Sequence, residues 1–130
     1  METRASPVQI AASGMKAQAT RLRHVAENIA NTDTPGYRRK TVSFDAMREG
    51  GRADGRVMAS APRLDRSALP RIYDPAHPMA DAAGFYDGSN VDLVSEMADS
   101  REASRSYEAN LRIFEQARQM GQSLLDLLRR

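Results

Sequence analysis

The residues best suited to acid–base or metal chemistry in this 130-residue chain are its two histidines, His24 and His77. His24 lies in a helical pattern with Glu27 three residues on, and His77 stands between Ala76 and Pro78. Neither belongs to a His-Glu-x-x-His zinc pattern. A helical His–Glu pair at that spacing is an ion pair or a solvated residue before it is a catalytic dyad. Asp92 and Glu96 share a helix face, as paired carboxylates would, but a helix start explains both. Asn90 or Asp92 caps it, and Glu96 suits its positive first turns. Gly50-Gly51 lacks the Lys-Ser/Thr that completes a phosphate loop. With no cysteine, disulfides and thiolate zinc sites are excluded. The expectation is a chain that is not an enzyme and has no catalytic, cofactor-binding or metal-binding residue.

Charge offers the other chemistry. Net charge is only +2, too little for whole-molecule attraction to nucleic acid or an anionic membrane. From Arg38 to Arg71, however, nine basic residues face four acidic ones, a local excess of five. A nucleic-acid or cell-wall binding module using this Arg38–Arg71 segment is the alternative reading. It would need cations grouped on one surface with aromatics for stacking, and only Tyr37 and Phe44 are near. A solvated loop or a contact with a neighbouring subunit explains the charge equally well.

Two helical patterns must position whatever the chain does. Val8, Ala12, Met15, Ala19, Leu22, Ala26 and Ile29 recur at 4-3-4-3-4-3, the seam of a left-handed coiled coil. About 24 such residues make a rod of roughly 36 Å, marginal alone. Gly14 within it costs about 1 kcal/mol relative to Ala. Leu93, Met97, Ser100, Ser104, Tyr107, Leu111 and Phe114 repeat the spacing. The seam then moves to Ala117, Met120, Leu124 and Leu127, with Leu125 and Leu128 beside it. From Asp92 to Arg130 this second helix reaches roughly 58 Å, more than the first can cover. Some apolar surface is left for other molecules.

Between the helices, Asn31 can take the left-handed conformation that ends a helix, and Thr32 and Asp33 can bond freed backbone groups. Pro35-Gly36 suits the centre of a type II turn, and Tyr37 offers a flat face beyond it. Residues 39–44, 57–59 and 71–73 read as short strands. Residues 49–56 read as a flexible loop, and 74–78 and 84–89 as turns. The fold class expected is mainly α: long terminal helices paired as a coiled coil around an irregular middle with a few short strands. The parts are 1–34, 35–90 and 91–130. No run of about 18 apolar residues spans a bilayer, and Met1 to Pro7 has no apolar stretch for a cleaved signal peptide.

Asn28, Asn31, Thr34, Pro35, Gly36, Tyr37 and Arg38 resemble the motif that closes the N-terminal helix in the bacterial flagellar axial proteins, the rod and hook family. Asn90, Val91, Asp92, Glu96, Met97, Arg105, Tyr107 and Asn110 resemble the opening of that family's C-terminal helix. Short length and the stretch Tyr73 to Asp81 resemble the small proximal-rod members. The resemblance implies a structural subunit of the drive shaft that crosses the periplasm and transmits torque. It implies export through the flagellar type III apparatus and assembly with copies of itself, other rod proteins and the export-gate/MS-ring adaptor end of the rod. It implies no nucleic acid and no insertion into lipid. The assembly interface expected is Val8, Ala12, Met15, Ala19, Leu22, Ala26, Ile29, Leu93, Met97, Tyr107, Leu111, Phe114, Leu124 and Leu128.

Overall fold

A computed structural model describes residues 4–130. Residues 1–3, part of the opening read as free of a signal peptide, lie outside the described residues. Helix α1 (Pro7–Ala30) starts on a capping box: the Gln9 N–H donates to Ser6 Oγ at 3.2 Å and the Ser6 N–H to Gln9 Oε1 at 2.9 Å. Pro7, with no N–H to leave unpaired, fills the first helical position. Helix α2 (Leu93–Leu128) starts on Asp92, which accepts from the Val94 N–H and the Ser95 hydroxyl.

The helices lie antiparallel. Gly14 faces Asn110, Arg21 meets Asp99 and Glu102, and Asn28 meets Glu96. A Cβ added at Gly14 would sit 2.8 Å from Asn110 Oδ1, so a larger residue at Gly14 would displace the Asn110 side chain. The buried face of α1 is Ala11, Gly14, Ala17, His24, Val25 and Asn28, and that of α2 is Glu96 and Ala103. Small residues let the backbones approach but bury little apolar area each. Among the described residues only Ala11, Ala17, Val25 and Ala103 are fully buried apolar side chains.

The middle differs from expectation. Among the described residues, six strands form three two-stranded antiparallel ladders: β1 (Lys40–Thr41) with β4 (Arg63–Leu64), β2 (Phe44–Glu49) with β3 (Arg52–Ala59), and β5 (Arg71–Tyr73) with β6 (Phe85–Asp87). The two helices therefore hold slightly fewer than half of the residues, so "mainly α" is too strong. The expected pair of long terminal helices is present. The stretch 49–56 is not a flexible loop but the tip of the β2–β3 hairpin. Gly50 (φ +60°) and Gly51 (φ +82°) make the two-residue turn between the paired Glu49 and Arg52. Both central residues need positive φ there, and twin glycines supply it. Residues 85–87 are strand rather than turn, because they pair with Arg71–Tyr73, a partner far away in sequence. The turns at 75–79 are present.

The hairpin packs along the first half of α1, where the Val57 N–H donates to Ser13 Oγ at 3.1 Å and Gly55 abuts Ile10.

Candidate assembly junction

The end of α1 is closed by side chains rather than by a left-handed residue. Asn31 has φ −108°, and among the described residues no non-glycine has positive φ. Its amide donates to the Glu27 carbonyl at 2.8 Å, Thr32 Oγ1 donates to the Ile29 carbonyl at 2.8 Å, and Thr34 Oγ1 donates to Asn31 Oδ1 at 3.0 Å. With the freed carbonyls met in this way, the backbone has no need to reverse its hand. The following turn is as expected: the Tyr37 N–H donates to the Thr34 carbonyl at 3.2 Å, and Gly36 takes φ +74°.

That turn folds back onto the start of α2. The Gly36 N–H donates to the Asp87 carbonyl, the Asn90 N–H to the Tyr37 carbonyl, and the Ser89 hydroxyl to the Thr32 carbonyl. Asn90 Oδ1 accepts from the Arg39 N–H at 2.7 Å, and its amide donates to the Asp65 carbonyl at 3.0 Å.

At the centre lies Asn28, with no exposed surface. Its Oδ1 accepts from Tyr37 Oη and from the Lys40 N–H, each at 2.8 Å. Its Nδ2 donates to the Lys40 carbonyl at 2.9 Å and to Glu96 Oε2 at 3.2 Å. A side-chain amide has two donor hydrogens and two acceptor lone pairs, and all four are used. Glu96 is equally buried, and its other oxygen accepts from Arg39 Nε at 2.7 Å. Arg39 also reaches Asp65 at 3.5 Å and Asp99 at 3.6 Å. Burial opposes the charge on Arg39, but Glu96 and Asp65 outweigh it and hold its guanidinium above the ordinary arginine value. Burial, with Glu27 nearby, raises the Tyr37 hydroxyl, so it stays a donor to Asn28.

Two sequence readings change here. Glu96 does more than suit a helix dipole: it is the buried carboxylate that ties α2 to α1. Four of the nine Arg38–Arg71 cations are held by carboxylates. Arg39 is held by Glu96, Lys40 by Glu27 at 2.5 Å, Arg56 by Asp54 at 2.6 Å, and Arg71 by Asp81 and Asp87. Arg39 and Asp65 were missed as members of the junction. Their signal is weak, since nothing in a charge count says which cation will be buried. His24 is buried, with Nδ1 3.8 Å from Glu27 Oε2.

The remaining motif residues lie around or away from this centre. Pro35 and Val91 are half-buried beside it, Asn110 packs on Gly14, Tyr107 is half-buried along α2, and Met97 and Arg105 are exposed. The residues expected at the interface fall into two sets. Val8, Met15, Leu22, Ile29, Tyr107, Leu111 and Phe114 are half-buried, while Ala12, Ala19, Ala26, Leu93, Met97, Leu124 and Leu128 are exposed. On α1 the face turned to α2 runs one residue ahead of that stripe: Ala11, Gly14, Gln18, Arg21, Val25, Asn28 against Ala12, Met15, Ala19, Leu22, Ala26, Ile29. One residue is about 100° around a helix. The stripe therefore sits to the side of the helix pair.

The two arms of this polar clamp are the segments that place the chain in the class of bacterial flagellar rod proteins. Residues 9–38 match the family model described as flagella basal body rod protein, and residues 82–127 match the one described as flagellar basal body rod FlgEFG protein C-terminal. The chain is 43% identical to flagellar basal-body rod protein FlgC of Agrobacterium fabrum, over 99% of this chain and 98% of that protein. It is 36% identical to FlgC of Salmonella typhimurium, over 85% and 87%, and 34% identical to FlgC of Borreliella burgdorferi, over 95% and 96%. The chain belongs to the flagellar basal-body rod protein FlgC family. It is a structural subunit of the flagellar rod, not an enzyme, and the reading as a nucleic-acid or cell-wall binding module is not supported.

Proposed function

We propose that the subunit joins the rod through the apolar stripe of α1 and the free end of α2, packed as coiled-coil seams against copies of itself and other rod proteins. The observation that carries this is the unequal length of the helices. Extending the antiparallel register puts the start of α1 level with about residue 117, so roughly the last 17 Å of α2 has no mate. Residues 118–130 are all exposed, including Met120, Leu124, Leu125, Leu127 and Leu128. The offset stripe on α1 supports the same reading. Here 1–34 and 91–130 act as the assembling parts and 35–90 as the part held outward. The small-residue helix pair also suits passage through the flagellar type III apparatus in unfolded form, without a cleaved signal, to a periplasmic rod ending at the export-gate/MS-ring adaptor. With little buried apolar area, the monomer unfolds at low cost and gains stability from neighbours.

Leu124→Asp and Ala19→Asp place a charge on exposed positions and should leave the monomer's circular dichroism unchanged. In cells they should block rod completion and swimming, and Leu22→Asp and Leu111→Asp should do the same. Normal swimming of the Leu124→Asp and Ala19→Asp strains would refute the assembly surface. Sedimentation across a concentration series, with far-UV circular dichroism in parallel, should show helix content rising with association.

A further inference from the structure

The basic segment leaves a residue of charge at one place. Arg38, Arg63, Leu64 and Arg66 line a groove beside the β1–β4 ladder. Arg63 and Arg66 are exposed and have no ion pair or side-chain hydrogen bond among the described residues. Arg38 donates only to neutral acceptors, the carbonyls of Asp65 at 3.3 Å and Ser67 at 2.9 Å, which orient its guanidinium without cancelling its charge. The acid between Arg63 and Arg66 in sequence does not neutralise them. Asp65 is absent from the groove lining: its carboxylate accepts from the Ser67 N–H at 2.8 Å and from Arg39. The Ser67 hydrogen bonds, with Arg39 adding to them, hold that carboxyl below its ordinary value, so it stays charged and engaged elsewhere. Three cations thus converge with no carboxylate among them, around a leucine that is 56% exposed.

We propose that this groove docks an acidic segment of another protein, one in which carboxylates alternate with an apolar side chain. Guanidiniums take carboxylates in paired hydrogen bonds, and three of them supply the charge complementarity. Leu64 decides the class of partner. A polysaccharide or nucleic-acid backbone gains nothing from an isobutyl group, whereas a peptide's leucine or valine is covered by it. The surface lies in the middle segment, apart from the helix ends, so it stands whether or not those ends carry assembly.

The test uses the full chain and a fluorescein-labelled twelve-residue peptide of Glu-Glu-Leu repeats, read by anisotropy at low and moderate salt. The peptide should bind, and binding should weaken with salt as exposed charges are screened. Arg63→Gln with Arg66→Gln should weaken it about tenfold or more, and Leu64→Ser at least threefold, with circular dichroism unchanged in both. A Glu-Glu-Ser peptide of the same charge should bind at least threefold less tightly. The proposal is overturned if the peptide does not bind, if the double arginine variant binds as wild type does, or if the serine peptide or an oligonucleotide of equal charge binds equally well. The last result would make the groove a plain polyanion surface.

Discussion

The Asn28 side chain uses every hydrogen-bonding group it has in four bonds to three residues, in a place that water does not reach. Asn28→Leu removes them all and strips Glu96 of one of its two bonds. A buried charge left short of partners costs about 3–5 kcal/mol, so urea unfolding should show a loss of that order. Arg39→Met should cost about the same by the same route, since it leaves the Glu96 carboxylate without its cation. A loss below about 1 kcal/mol in both would mean that the clamp does not hold the helices. Gly36→Ala meets open space but must adopt φ +74°, so strain alone should cost about 1–2 kcal/mol. Protonation gives a further check. Glu27 is held below its ordinary value of 4.5 chiefly by Lys40, Asp54 below 3.8 by Arg56, and Asp65 below 3.8 by Ser67. Carboxyls depressed in the folded state bind fewer protons there than when unfolded. Their stabilisation is present above the unfolded values and lost as pH falls through the folded ones. Lys40 is raised by Glu27, so its share is present below 10.5 and lost as pH rises through its folded value. The melting temperature should fall on acidification below 4.5, and Lys40→Met should blunt that fall.

At the scale of the element, the two helices are short of apolar burial and rely on close approach. Gly14 is the clearest case. Read as a helix residue alone, Gly14→Ala should stabilise by about 1 kcal/mol. In the pair its new methyl group would meet the Asn110 amide at 2.8 Å, and overpacking of that kind costs about 1–3 kcal/mol. Gly14→Ala should therefore destabilise, and combining it with Asn110→Ala should recover the loss. Chemical denaturation of the single and double variants reads both. The β2–β3 hairpin belongs to the same level. Its Gly-Gly turn is local chemistry, but its place is set by Ser13 and Ile10 on α1.

The whole molecule is an unequal hairpin of helices with an apolar tail on the longer arm, two ladders at the junction and the β2–β3 hairpin along the first half of α1. A structural subunit gains from such a plan. The clamp fixes the register of the two helices, and in the proposed assembly the exposed tail would keep its apolar area for neighbours. Removal of residues 118–130 should leave the clamp, and with it the pairing of residues 7–30 with 93–117, intact by circular dichroism and hydrogen exchange. The same truncation should abolish rod completion in cells.

The sequence by itself determined the two helices, the turn at Pro35-Gly36 and the family. Those follow from periodicity, from the conformational limits of Pro and Gly, and from motifs that are contiguous in the chain. Asp92 as a cap is of the same local kind. Only the tertiary structure decided that Asn28, Tyr37, Arg39 and Glu96 make one buried network, because its members lie as far apart as 68 residues. Nor could periodicity fix which side of α1 meets α2. Gly14 and Met15, or Asn28 and Ile29, are neighbours in a broad stripe, and the choice fell to partners on α2: Asn110 against Gly14, Asp99 and Glu102 for Arg21, Glu96 for Asn28. Residues 85–87 became a strand for a similar reason, since a ladder needs its partner's backbone and Arg71–Tyr73 is brought there only by the fold. The charge of the Arg38–Arg71 segment was legible as a count. Which cations it leaves unpaired was not, because pairing depends on where each carboxylate points.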